Sequence, residues 1–159
     1  MLSTRLLAFA LVLALLPFVA VRTAAADELA YGPRVGYTHD THLDQLHLGG
    51  HAIARNVAPN LHIAPSLELG FGDGTLLAIN GDVFYEFTEL ASGGWSFYAG
   101  GGPMLSRYKK DRYKSTDFAL NLACGVTREW RHGRTWFGEL RIGLEDAPAL
   151  KLTAGLTFF

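Results

Sequence analysis

The sequence predicts an all-β fold, an eight-stranded antiparallel up-and-down transmembrane β-barrel that follows a cleaved signal peptide. Three observations lead there. After residue 28 the chain breaks into about eight short segments with period-two hydrophobicity, the signature of membrane strands. The apolar phase carries all three tryptophans. The polar phase carries acids and bases that nearly cancel. A soluble sandwich also alternates, but its apolar phase is a compact core and would not double as an aromatic belt.

The first element is the leader. Met1 to Arg5 is a short basic start, Leu6 to Val21 is an apolar run broken by Pro17, and Ala24-Ala25-Ala26 offers a small-residue cleavage site. Cleavage is expected before Asp27, giving a signal peptide over 1–26 and one barrel domain over 27–159. The whole chain has a formal net charge of −1. Losing Arg5 and Arg22 makes the remainder more acidic, so nothing in the charge favours nucleic acid. No later apolar run is long enough for a spanning helix. The single cysteine, Cys124, allows no intramolecular disulfide, lies away from the cleavage site and reads as a small apolar residue.

Strands are expected at 29–39, 45–57, 61–71, 75–88, 95–108, 116–130, 135–145 and 149–159. Turn chemistry separates them at Ala58-Pro59-Asn60, Gly72-Asp73-Gly74, Ser92-Gly93-Gly94, His132-Gly133-Arg134 and Asp146-Ala147-Pro148. The first segment puts Tyr31 and Tyr37 on the apolar phase and Arg34 on the polar one; the second adds Arg55 to the polar phase. In the third, Leu61, Ile63, Leu67, Leu69 and Phe71 oppose His62, Ser66, Glu68 and Gly70. In the fourth, Leu77, Ile79, Val83, Tyr85 and Phe87 oppose Asn80, Asp82 and Glu86. The fifth is glycine-rich and starts at Trp95; the sixth sets Phe118 and Trp130 against Glu129 and Arg131. In the seventh, Trp136, Leu140, Ile142 and Leu144 oppose Glu139, Arg141 and Gly143. The eighth sets Leu150, Leu152, Ala154, Leu156 and Phe158 against Lys151, Thr153, Gly155 and Thr157.

If the chain starts on the periplasmic side and each segment crosses once, Trp95, Trp130, Trp136 and Phe158 form a periplasmic aromatic girdle, joined by Tyr31, Tyr85 and Phe87. Tyr37, Phe71 and Phe118 fall near the opposite rim. The polar phase then points inward, and Arg34, Arg55, Glu68, Asp82, Glu86, Glu139, Arg141 and Lys151 are expected to form an interior charge network, because each charge buried alone would cost several kcal/mol. Arg107 and Arg128 lie on the apolar phase near strand ends, where long side chains can snorkel. Pro65 and Pro103 each remove a ladder donor, so bulges are expected there.

The segment Trp95-Ser-Phe-Tyr-Ala-Gly-Gly-Gly-Pro-Met-Leu-Ser-Arg-Tyr108 resembles the glycine-rich fifth strand of small bacterial outer-membrane β-barrel proteins, the OmpA/OmpX-like group. The ending Leu152-Thr-Ala-Gly-Leu-Thr-Phe-Phe159 resembles that group's closing strand, with one departure: Phe158 holds the outward phase and Phe159 falls off it. Either Phe159 is an extra residue or the strand bulges. The resemblance spans the mature chain and implies a location in the bacterial outer membrane, with barrel assembly machinery as a partner during insertion.

Sites of other kinds are weakly supported. His39, His42, His47 and His51 cluster in sequence. His47 and His51 are four apart on a strand, roughly 13 Å, too far to clamp one ion. His39 and His42, with Asp40 and Asp44, would form at most a weak loop site, so no metal or cofactor is expected. No Ser–His pair stands at a strand end on the lipid face; Ser106 and Ser115 have only lysines, arginines and tyrosines nearby. The outer loops are short, at about 40–44, 72–74, 109–115 and 146–148. The most basic of them supplies Arg107, Lys109, Lys110, Arg112 and Lys114, which could meet lipopolysaccharide phosphates.

The expected function is a non-catalytic, monomeric outer-membrane barrel with an envelope-integrity role. Its interior should be filled by ion pairs rather than left as a pore. A lipid-modifying barrel enzyme is the second reading. A soluble periplasmic ligand-binding barrel is the third, and it requires Glu68, Asp82, Glu139 and Arg141 to point outward.

Overall fold

The computed structural model describes residues 28–40, 43–131, 133–144 and 148–159. The expected signal peptide, His42, His132 and residues 145–147 lie outside them, as do the side chains of Leu43 and Arg131. The described chain forms β1 (Glu28–Asp40), β2 (Leu43–Ala58), β3 (Leu61–Gly72), β4 (Gly74–Ser92), β5 (Trp95–Lys110), β6 (Tyr113–Arg131), β7 (Arg134–Leu144) and β8 (Leu150–Phe158). Every neighbouring pair is antiparallel, and β8 returns to β1 to close the barrel. Closure leaves no free sheet edge.

The alternation read from the sequence becomes an outside and an inside. Leu67, Leu69, Ile79, Val83, Leu105, Leu122, Ile142 and Leu152 are exposed on the outer wall. The opposite phase of the same strands is buried and largely polar. The start of β1 at Glu28, the C-terminus and the β2–β3, β4–β5 and β6–β7 turns gather at one end, here the terminal end. At one of these turns Gly93 and Gly94 both take positive φ (59° and 79°), as a two-residue hairpin turn of matching twist requires.

Three local expectations are corrected. Pro65 and Pro103 carry no bulge. Pro65 stays in register with Gly81, and Pro103 with Leu120. On the other side of each proline the ladder pauses, from His51–Ser66 to Ala54–Ile63 and from Asn80–Met104 to Val83–Gly101, with register unchanged. Gly81 stands opposite Pro65 in the β3–β4 ladder, and a Cβ there would make only ordinary contact with Pro103 Cγ, at 3.9 Å. Register shifts instead fall near the terminal end, between Ala54 and Ala58, Phe87 and Ser92, and Glu129 and Arg131. Next, the expected 109–115 loop is mostly strand. Lys109 pairs with Lys114 and Lys110 with Tyr113, and Asp111 (φ 50°) closes the turn. Lastly, His39, Asp40 and Asp44 are strand residues, because β1 and β2 pair out to Asp40 and Leu43.

Candidate functional site in the barrel interior

Inward positions on five strands bring six of the eight expected charges into one chain of contacts. Lys151 on β8 bonds Glu68 on β3. Arg34 on β1 bridges Glu68 (3.2 Å) and Glu139 on β7 (2.7 Å). Arg141, also on β7, reaches Glu139 (2.9 Å) and grips Asp82 on β4 with two bonds of 3.1 and 2.7 Å. Lys151 and Arg141 are cross-strand partners. Like charges directly opposite destabilise a sheet, and here each turns to a different acid. All six side chains are buried, and bases and acids balance. Burying ions is tolerable only with such partners, since a lone one would cost several kcal/mol.

Neutral groups complete the packing. The Tyr98 hydroxyl donates to Glu139 Oε2 at 3.0 Å. Gly125 makes room for that ring, since a Cβ there would overlap the phenol. Asn80 donates to Ser66 (3.0 Å), and His47 sits between the hydroxyls of Thr38 (3.0 Å) and Thr153 (3.1 Å). Ala78, Met104 and Ala119 form a buried apolar cluster beside them.

Arg55 and Glu86 do not join this network. They form a second cluster near the terminal end. Glu86 accepts from Arg55 (3.3 Å) and contacts His62 Nε2 (3.0 Å), while Glu28 lies 4.0 Å from Arg55. Between the clusters the barrel is not filled. A cavity of about 570 Å³ opens there, walled by Ile53, Ala64, Phe84, Phe137 and Phe159 with Arg34, Glu139 and His51 deeper in. The expectation of an interior filled throughout by ion pairs is therefore corrected: the plug occupies one part and a vestibule the other. Ala64, a small inward residue, lines the space.

The off-phase Phe159 is an extra residue beyond β8. Its N–H donates to Gly133 O (3.0 Å), and its ring lies 5.1 Å from the Arg55 guanidinium at the vestibule mouth. Phe158 keeps the outward phase and pairs with Tyr31.

The aromatic positions fall at the terminal end of the outer wall. Trp95 and Trp136 meet edge to face at 4.9 Å, Arg128 lies over the Trp95 ring at 5.1 Å, and Trp130 is exposed. Arg134 lies 5.9 Å from the Phe158 ring. At the opposite rim Arg107, Lys109, Lys110, Arg112 and Lys114 are all exposed on the β5–β6 hairpin. Tyr108 anchors it by donating to Asp73 O.

His39 pairs with Asp44 (2.6 Å) on the exposed rim, whereas His47 and His51 point inside toward threonines. Among the described residues no group of three or more His, Cys, Asp or Glu side chains converges as a metal site. Ser106 is buried in the interior. Tyr98 was not singled out from the sequence, and His62, placed on the polar phase, was not expected among the interior charge contacts.

A closed barrel with an aliphatic outer wall, girdles of aromatics and an ion-paired interior is the architecture of small transmembrane β-barrels. Solved structures agree at the level of the fold. The N-terminal β-barrel domain of Pseudomonas aeruginosa OprF matches at TM-score 0.63 and 11% identity, over 81% of this chain and 96% of that one. Neisserial surface protein A matches at 0.61 and 15%, over 82% and 94%. De novo designed transmembrane β-barrels match at 0.57 and 17%, over 82% and 92%. No family model matches the sequence, and no curated protein does.

Proposed function

We propose that this chain is a monomeric bacterial outer-membrane barrel, exported by its signal peptide, with a structural and non-catalytic role in the envelope. The observation that carries the reading is the buried chain Lys151–Glu68–Arg34–Glu139–Arg141–Asp82. It ties five strands together across the lumen, which suits a wall element better than a conduit. The third reading, a soluble barrel, needed Glu68, Asp82, Glu139 and Arg141 outside; all four are buried inside. Against catalysis on lipid, the interior imidazoles His47 and His51 bond threonine hydroxyls away from the outer wall.

The basic hairpin supports lipopolysaccharide as the partner at the far rim. Lys109 faces Lys114 directly across the strands. Such a like-charge pair is unfavourable alone and is relieved by an anion such as a phosphate. Insertion would use the barrel assembly machinery, with β8 as the closing strand.

Fractionation of expressing cells, with the envelope run on a gel boiled and unboiled, tests the reading. A heat-dependent mobility shift in the outer-membrane fraction supports it. Soluble periplasmic protein without a shift refutes it. Liposomes carrying the barrel should swell in small sugars no faster than empty ones; faster swelling would refute the closed lumen.

A further inference from the structure

We propose that the outer wall at the terminal end holds one anionic phospholipid, with its phosphate on Arg128 and Arg134 and an acyl chain in the apolar groove beside them. The inference rests on the barrel reading, which sets this wall in a bilayer, and adds a defined lipid site to it. The two arginines share the outward phase of neighbouring strands. Arg128 on β6 faces Trp136 on β7, and Arg134 lies two residues before Trp136 on the same side of β7. Arg128 lies over the Trp95 ring at 5.1 Å and Arg134 over the Phe158 ring at 5.9 Å, both within cation–π range. Stacking occupies the flat face of a guanidinium and leaves the N–H groups at its edge for an acceptor.

No acid answers these two charges. The interior arginines Arg34, Arg55 and Arg141 each hold a carboxylate. Among the described residues, Arg128 and Arg134 join no ion pair, and both are exposed. Glu129, next to Arg128 in sequence, lines the vestibule instead. Two ring-held cations on the lipid-facing side call for an outside anion, and guanidinium pairs its N–H groups well with phosphate. The next outward positions along the strands are Phe97, Val126 and Gly138, a step of roughly 7 Å toward the middle of the wall. With Leu140 and Ala154 they line an almost wholly apolar groove of about 820 Å³. Gly138 and Ala154 are cross-strand partners and keep its floor low. A Cβ at Gly138 would meet only Val126 Cγ2, at 4.0 Å, so the space above it is open. Cations at the rim and a groove one step deeper repeat the order of a phospholipid, anion outside and hydrocarbon within. An anionic headgroup is favoured over a zwitterionic one, whose own cation would face the arginines.

The test reads tryptophan fluorescence of the whole barrel in vesicles that mix phosphatidylglycerol with phosphatidylcholine, the chains of one lipid or the other being brominated to quench. Trp95, Trp130 and Trp136 all stand at this end of the outer wall, so quenching reports the lipid held there. Phosphatidylglycerol should be enriched over its bulk share by about fivefold or more. Arg128→Gln with Arg134→Gln should bring the ratio close to one, and Gly138→Leu, which fills the groove and spares both arginines, should lower it part of the way. Lys109→Gln with Lys114→Gln, at the opposite rim, should leave it unchanged. Each variant is first checked for the heat-dependent mobility shift, and if the double arginine variant fails to fold, either single substitution carries the comparison. A ratio near one in the unaltered chain, or one that survives loss of the arginines, would overturn the proposal. So would an equal fall in the lysine variant, which marks general attraction of charge, or no change in Gly138→Leu, which leaves the chain without its seat. Quenching by neither lipid would sink the barrel reading, and the site with it.

Discussion

Arg141 is the residue whose removal should cost most. It is 1% exposed, grips Asp82 with two bonds and reaches Glu139 with a third contact. Arg141→Met keeps the volume of the stem and deletes the charge. Asp82, fully buried, then loses both of its guanidinium bonds. Glu139 loses less, because Arg34 (2.7 Å) and the Tyr98 hydroxyl (3.0 Å) remain. The damage thus concentrates on one stranded carboxylate, and breaking a buried pair from one side costs about 3–5 kcal/mol. Neutralising that carboxylate should return much of the loss. The double variant Arg141→Met, Asp82→Asn is expected to be about 2 kcal/mol more stable than the single one, a coupling within the range of contacting residues. Equilibrium urea unfolding in lipid vesicles measures both. A single variant within about 1 kcal/mol of the parent, or a double variant no better than the single, would refute the reasoning that these charges survive burial by pairing.

Other outcomes follow from the same geometry. Ile79→Arg places a charge on the aliphatic outer wall and should cost about 2–4 kcal/mol in bilayers, the range for a midplane cation. Trp95→Ala removes an edge-to-face contact with Trp136 and the ring under Arg128, so unfolding should ease by about 1–2 kcal/mol beyond lost area. Gly125→Val pushes into the Tyr98 ring and should cost about 1–3 kcal/mol, with Tyr98→Ala relieving part of it. Lys109→Glu turns a like-charge pair into an opposite one. It should stabilise the hairpin by about 0.2–1 kcal/mol in lipopolysaccharide-free detergent while weakening retention on immobilised lipopolysaccharide.

What was legible in the sequence was set by solvent on each face. A strand between lipid and a filled lumen must alternate, so Leu69, Ile79 and Ile142 declared the outside, and Glu68, Asp82 and Arg141 the inside. Partnership was not legible. Arg34 meets Glu139 across 105 residues of chain, and nothing in a single sequence fixes the barrel stagger that aligns them. The same stagger separates Arg55 and Glu86 from the main network. The vestibule was missed because alanine and glycine at inward positions look like ordinary packing until their neighbours are known. The prolines misled for another reason: a missing donor can be absorbed as a gap in one ladder with the register kept. Phe159 was legible as an anomaly, but its place at the mouth needed the register of β8 against β1 and β7.

The central claim is that the apolar phase faces lipid and the charged phase faces the lumen. Nuclear Overhauser contacts between acyl-chain methylenes and protein methyls, measured on the folded barrel in nanodiscs, test it most directly. Ile79, Val83 and Leu152 should show strong lipid contacts, while Ala78, Ala119 and Met104, buried inside, should show none. Lipid contacts at Ala78, Ala119 and Met104 with none at Ile79 would contradict the account.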